Sequence, residues 1–143
     1  MATLVQWAKA QRKLMEMQAS ALAKDLTDKE IVELAVAFPY YKQSGVYKVG
    51  DIRRDPKNDQ PKQCKIEYDA DVQTAWTIDD GTLWYAYHGI SKETAYPWVA
   101  PTGAHDIYKV GQFMTYTDGL KYECIKDTNC SPEDLPDSWK KHE

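Results

Sequence analysis

Phenylalanine is scarce in this chain, two residues in 143, against ten tyrosines and five tryptophans. A core alone does not need so many amphipathic aromatics. Rings with a polar handle suit surfaces that are half apolar and half wet, and they also fill the thin cores of small β units. Cysteine is sparse too. Cys64, Cys124 and Cys130 form an odd set without a CxxC pair, which argues against a disulfide framework and against a zinc site. No apolar run is long enough to cross a bilayer, and Met1-Ala2-Thr3 lacks the basic start of a secretory signal. The expectation is therefore synthesis in the cytoplasm without a signal peptide and no membrane partner.

Positive charge is also short. The net charge of −4 excludes a broad phosphate-neutralising face and, with it, a nucleic-acid partner. The one basic cluster, Lys48, Arg53, Arg54 and Lys57, is interrupted by Asp51, Asp55 and Asp59 and reads as a solvated strand and loop. A glycine-rich phosphate loop and an activated Ser or Cys nucleophile are missing as well. His88-Gly89 and His105-Asp106 read as turn chemistry, with Asp106 holding backbone amides. Asp79-Asp80 and Glu133-Asp134 read as loop charges. The chain is expected to be no enzyme and to need no cofactor or metal.

What is present begins with residues 3–24, free of Gly and Pro and rich in Ala, Leu, Met, Gln and Lys. These are good helix formers. Leu4, Ala8, Gln11, Met15, Gln18 and Leu22 trace a soft coiled-coil seam with Trp7 and Leu14 beside it, which predicts a helix that packs on copies of itself, favoured here, or on the chain's own second helix. Thr27-Asp28-Lys29-Glu30 is a capping box. It predicts a second helix from Asp28 to about Ala37, with Ile31, Leu34, Ala35 and Phe38 facing a core, stopped by Pro39.

The rest of the chain repeats itself. Tyr47-Lys48-Val49-Gly50 recurs as Tyr108-Lys109-Val110-Gly111, and each is followed at similar distance by a cysteine, Cys64 or Cys124. After the second corner, Gln112 to Tyr116 and Leu120 to Ile125 alternate around Asp118-Gly119. That dipeptide predicts a hairpin with a type I′ turn. The first copy has a longer loop, DPKNDQPK, and carries Lys62 where the second has Tyr122.

The ordered set Trp98, Tyr108, Gly111, Tyr116, Gly119, Tyr122, Cys124, Pro136 and Trp139 resembles the small carbohydrate-binding modules appended to bacterial chitinases, the family 5/12 group. The run PWVAPTGAHDIYKVG, with HGISKETAYPW before it, resembles tail-associated proteins of phages and prophages of Gram-positive bacteria. Together the readings predict an α+β chain: an N-terminal helical segment (1–38) for assembly, a first antiparallel β module (39–86), a linker (87–95) and a second β module (96–143). The resemblance implies a non-enzymatic tail protein in the virion that binds host cell-surface polysaccharide. It contacts other tail proteins and forms a homo-oligomer, a trimer being favoured. The alternative is a structural tail adaptor or decoration protein whose modules have lost sugar binding.

The resemblance also implies the carbohydrate-binding candidates: Trp139, Tyr122 and Tyr116 in the second module, and Trp84 and Trp76, the closing and loop tryptophans of the first. An exposed indole can stack on the C–H face of a pyranose. Covering on the order of 50 Å² at ~25 cal/mol/Å² yields roughly 1 kcal/mol, so several aromatics or several copies are required. The competing reading is that a closing tryptophan seals its module's core.

Overall fold

A computed structural model describes residues 3–8, 10, 11, 21, 23–104 and 106–142. The capping box forms as expected. Thr27 Oγ1 accepts from the Glu30 N–H at 3.2 Å, and Glu30 Oε1 accepts from the Thr27 N–H at 3.1 Å. It starts α1, Asp28–Glu33, which tightens into a 3-10 turn at Ala35–Ala37. Ile31, Val32, Ala35 and Phe38 are buried, whereas Leu34 is exposed. The change from 3.6 to 3.0 residues per turn re-aims the apolar face after Glu33 and leaves Leu34 outside.

The β structure comprises three small sheets. β1 (Val46–Tyr47) pairs with β4 (Tyr68–Asp69). β2 (Ile52–Arg54), β3 (Pro61–Cys64) and β5 (Trp84–Ala86) lie in the order β2-β3-β5. β6 (Phe113–Thr115), β7 (Lys121–Cys124) and β8 (Trp139–His142) lie in the order β6-β7-β8. All five pairings are antiparallel.

This corrects the α+β expectation. The chain is mostly small antiparallel sheets with short helical pieces, and the described residues include no long N-terminal helix. Residues 4–8, 10, 11 and 21 are helical, and Leu4, Val5 and Trp7 are exposed rather than packed in a seam. Met15, Gln18 and Leu22 of the expected coiled coil, and Leu14 beside it, lie outside the described residues. The packing helix is instead α1. Ile31, Val32 and Phe38 form one cluster with Ala23, Ile52 and Tyr87, so intrachain packing covers the back of the first three-stranded sheet.

The two three-stranded sheets repeat each other in order, sense and register. Ile52 faces Gln63 as Phe113 faces Glu123, and Cys64 faces Trp84 as Cys124 faces Trp139. Their corners match as well. The Asp51 N–H donates to Lys48 O and the Gln112 N–H to Lys109 O, both at 3.0 Å. Gly50 and Gly111 take φ of +96° and +91°, the positive value that the third position of a type II turn requires and that a Cβ resists.

The expected type I′ turn is not formed. Among the described residues Asp59 is the non-glycine with positive φ, so at Asp118-Gly119 only Gly119 (φ +80°) crosses over. The Gly119 N–H donates to Tyr116 O, and the Tyr116 N–H donates to Leu120 O, each at 2.9 Å. This is a three-residue loop, a type I turn followed by a left-handed glycine. Asp118 serves it through its side chain, accepting from the Leu120 N–H at 2.9 Å.

Each sheet closes over an aromatic triad of the same geometry. In the first unit Tyr41 stacks on Tyr47 (5.0 Å between centroids, 21°), and Trp84 stands edge-on to both. In the second, Trp98 stacks on Tyr108 (5.1 Å, 13°), and Trp139 stands edge-on to both. Tyr41 thus takes the place of the second unit's opening tryptophan. The Tyr41 N–H bonds Arg54 O as the Trp98 N–H bonds Thr115 O. The units also touch: the Phe113 N–H donates to Gly89 O at 2.9 Å, and Lys65 Nζ reaches Thr102 Oγ1 at 3.3 Å.

Candidate functional site

The hairpin β6–β7 places Tyr116 at the end of one strand and Tyr122 on the next. Their rings meet edge to face, with centroids 6.0 Å apart at 83°. Both are half-buried, so each keeps part of its ring in water. With Pro132, Glu133, Pro136, Lys141 and a part of Trp139 they line an open groove of about 290 Å³. The Tyr122 hydroxyl donates to Asp118 Oδ2 at 2.7 Å. That bond pushes the Tyr122 phenol up to about 12 and holds the Asp118 carboxyl below its usual range. At neutral pH the groove therefore presents a neutral phenol, an ionised carboxylate and two aromatic walls.

The other candidates fall elsewhere. Trp139 and Trp84 are 6% and 2% exposed, and each seals its unit's core. The Trp139 indole N–H donates to Cys130 O at 3.0 Å, and that of Trp84 to the Tyr68 hydroxyl at 3.0 Å. Trp139 has charged neighbours in the chain, Lys140 and Lys141, yet alternation along β8 turns Lys140 outward and Trp139 in. Trp139 therefore meets the groove with only a sliver of its ring. Trp84 is enclosed by Tyr41, Tyr47 and Tyr68. Trp76 is half-buried and packs edge-on against Tyr68 at 5.5 Å, in the first unit's cluster rather than beside the Tyr116–Tyr122 pair.

Sequence reasoning missed Asp118, Glu133 and Lys141 as groove residues. Asp118 was read only as a turn residue, although its spacing from Tyr122 across a short loop was a usable signal. In the first unit the equivalents of Tyr116 and Tyr122 are Asp55 and Lys62. The Asp55 N–H closes on Gln60 O as the Tyr116 N–H closes on Leu120 O. Lys62 and Tyr122 each precede their cysteine by two residues in matched strands. Lys62 Nζ lies 3.1 Å from Asp55 Oδ2 with both side chains buried, so the aromatic pair is replaced there by an ion pair.

Asp106 holds a turn, as expected. Its carboxylate accepts from the Thr102 and Gly103 N–H groups at 2.8–3.0 Å and from the Thr102 hydroxyl at 2.8 Å. His105 lies outside the described residues. Among the described residues no three His, Cys, Asp or Glu side chains converge as metal ligands, and no helix is long and apolar enough to cross a membrane. Comparison with protein-family models and with curated proteins returns no match for this chain.

Proposed function

We propose that the protein is a non-enzymatic, tail-associated phage or prophage protein that binds host cell-surface glycan through the Tyr116–Tyr122 groove. The observation that supports this reading is the edge-to-face tyrosine pair beside Asp118, half in water on an open surface. Two rings at a right angle can bracket the C–H face of a pyranose, while Asp118 and Glu133 accept from its hydroxyls. Each contact is weak. Multivalent display on an oligomer, for which a trimer is favoured, raises avidity ~10²–10⁴-fold where geometry permits. Neighbouring tail proteins are the expected structural partners. The test is retention on insoluble chitin and on purified Gram-positive cell-wall polysaccharide. Tyr122→Ala is expected to abolish retention while the protein still melts cooperatively; equal retention of both proteins overturns the reading.

A second reading, a structural tail adaptor whose units have lost sugar binding, is favoured by the burial of Trp84 and Trp139. It predicts no retention of the wild-type protein on any glycan, together with a stable complex with a neighbouring tail protein.

A further inference from the structure

The first unit's counterpart of the glycan groove is not empty surface. Its Asp55–Lys62 pair lies in a cleft of about 480 Å³ whose other wall is the start of the second unit, Trp98 with Pro97 and Val99. The aromatic surface that Tyr116 and Tyr122 give the second unit is thus supplied to the first by Trp98, from across the junction. We propose that this cleft is a second saccharide-binding site, specific for a neutral sugar chain; the inference rests on the reading of the protein as a glycan binder.

Three observations carry it. Trp98 is half-buried and ends a column of rings that starts inside the molecule. His88 stacks on Tyr108 (3.7 Å, 16°) and Tyr108 on Trp98 (5.1 Å, 13°), so the indole is held rigidly and a pyranose can lie against it without ordering cost to the protein. The facing loop, 55–60, is rigid too. Asp59 and Asn58 donate their N–H groups to Asp55 O, and Asn58 Oδ1 accepts from the Gln60 N–H at 2.9 Å. Among the described residues no acceptor meets the Asn58 amide N–H groups, which leaves them for a ligand oxygen. Finally, Lys57 bonds Asp79 at the rim and lies 3.7 Å from Asp55. A side-by-side ammonium and carboxylate offer a donor and an acceptor at the spacing of neighbouring sugar hydroxyls.

The charge balance fixes the ligand class. Two lysines and two aspartates line the cleft, and both lysines already face carboxylates. Phosphate or an acidic sugar therefore finds no spare cation, whereas a neutral polyhydroxylated ring can lie on Trp98 and bond the rim groups of Lys57, Asn58 and Asp79, above the buried Asp55–Lys62 pair.

The test titrates the ¹⁵N-labelled full chain with the hexasaccharides of N-acetylglucosamine and of glucose. Two sets of shifted resonances are expected in the wild type. One lies at Lys57, Asn58, Asp79 and the Trp98 indole, the other at Asp118 and Tyr122. The exposed-loop variant Lys57→Ala/Asp79→Ala is expected to lose the first set at least tenfold in affinity, keep the second, and melt like the wild type. Tyr122→Ala is expected to do the converse. Shifts at the groove alone overturn the cleft and leave the proposed function standing. Shifts at the cleft alone support it and overturn the groove, and no shifts with either probe overturn both.

Discussion

Lys62 and Asp55 form a buried ion pair, Nζ to Oδ2 3.1 Å apart, at the two positions where the second unit carries Tyr122 and Tyr116. Lys62 Nζ also donates to Ile78 O at 3.3 Å. Two charges out of water gain little over a well-packed apolar pair, but one left alone is expensive. Lys57 stays 3.7 Å from Asp55 and its backbone N–H still bonds that carboxylate, so Lys62→Met is expected to cost about 1–3 kcal/mol, and Asp55→Leu/Lys62→Met to recover part of that loss. Chemical denaturation of the two variants beside the wild type checks this. A double variant as unstable as the single one refutes it.

The burial of Trp139 makes it a core residue of the second unit. Trp139→Ala removes the edge of the second aromatic triad and one indole hydrogen bond, and is expected to cost ~3–5 kcal/mol. In a unit this small that loss abolishes cooperative melting of the second half. Tyr122→Ala removes a half-buried ring and its bond to Asp118 and is expected to cost about 1–2 kcal/mol, less than Trp139→Ala. Calorimetry of both proteins separates core from surface directly.

His88 makes the fold acid-sensitive. Its Nε2–H donates to Asp106 O at 2.6 Å, its face covers Tyr108, and among the described residues Nδ1 has no partner. Burial holds the imidazole below its ordinary value, against the opposing pull of the Asp106 backbone bond and of the Asp106 and Asp28 charges. With the folded-state value depressed, the unfolded chain takes up the proton first. Stability from this group is complete above about pH 6.5 and falls as the pH drops below it, by at most ~1.4 kcal/mol per pH unit. Melting curves from pH 8 to 5 should show the decline, and His88→Phe should flatten it while lowering stability at pH 8.

The three thiols should separate kinetically. Cys64 and Cys124 occupy equivalent buried positions. Each donates its S–H to the carbonyl two residues on, at 3.2 and 3.0 Å, and burial pushes both thiols up to about 11. Cys130 is only half-buried. A disulfide-exchange reagent at pH 8 is expected to titrate one thiol quickly in the native protein and three in denaturant. Two fast native thiols contradict the packing at one of the cysteines.

The sequence alone determined what depends on local chemistry. Thr27 and Glu30 cap their helix because both bonds lie within four residues. The two Tyr-Lys-Val-Gly corners turn alike because each glycine sits where φ must be positive. The repeated spacing from corner to cysteine marks the two equivalent hairpins, β2–β3 and β6–β7, whose strands pair in the same register around loops of different length. Even at Asp118-Gly119 the turn was legible and only its type was not: Asp118 satisfies the Leu120 N–H with its side chain instead of crossing to positive φ.

What only the tertiary structure decided is which face of each aromatic meets water. Trp139 has charged neighbours in the chain, yet strand alternation turns it onto Tyr108. Tyr122 has similar neighbours and ends half in water beside Asp118. Lys62 reads as surface and is buried, because Asp55 compensates its charge across the hairpin. Burial is set by partners that the local pattern does not contain: Trp98 and Tyr108 close over Trp139, and Asp55 and Ile78 close over Lys62. The cleft beneath Trp98 is formed the same way: its walls are two halves of the chain, and it exists only once they pack together.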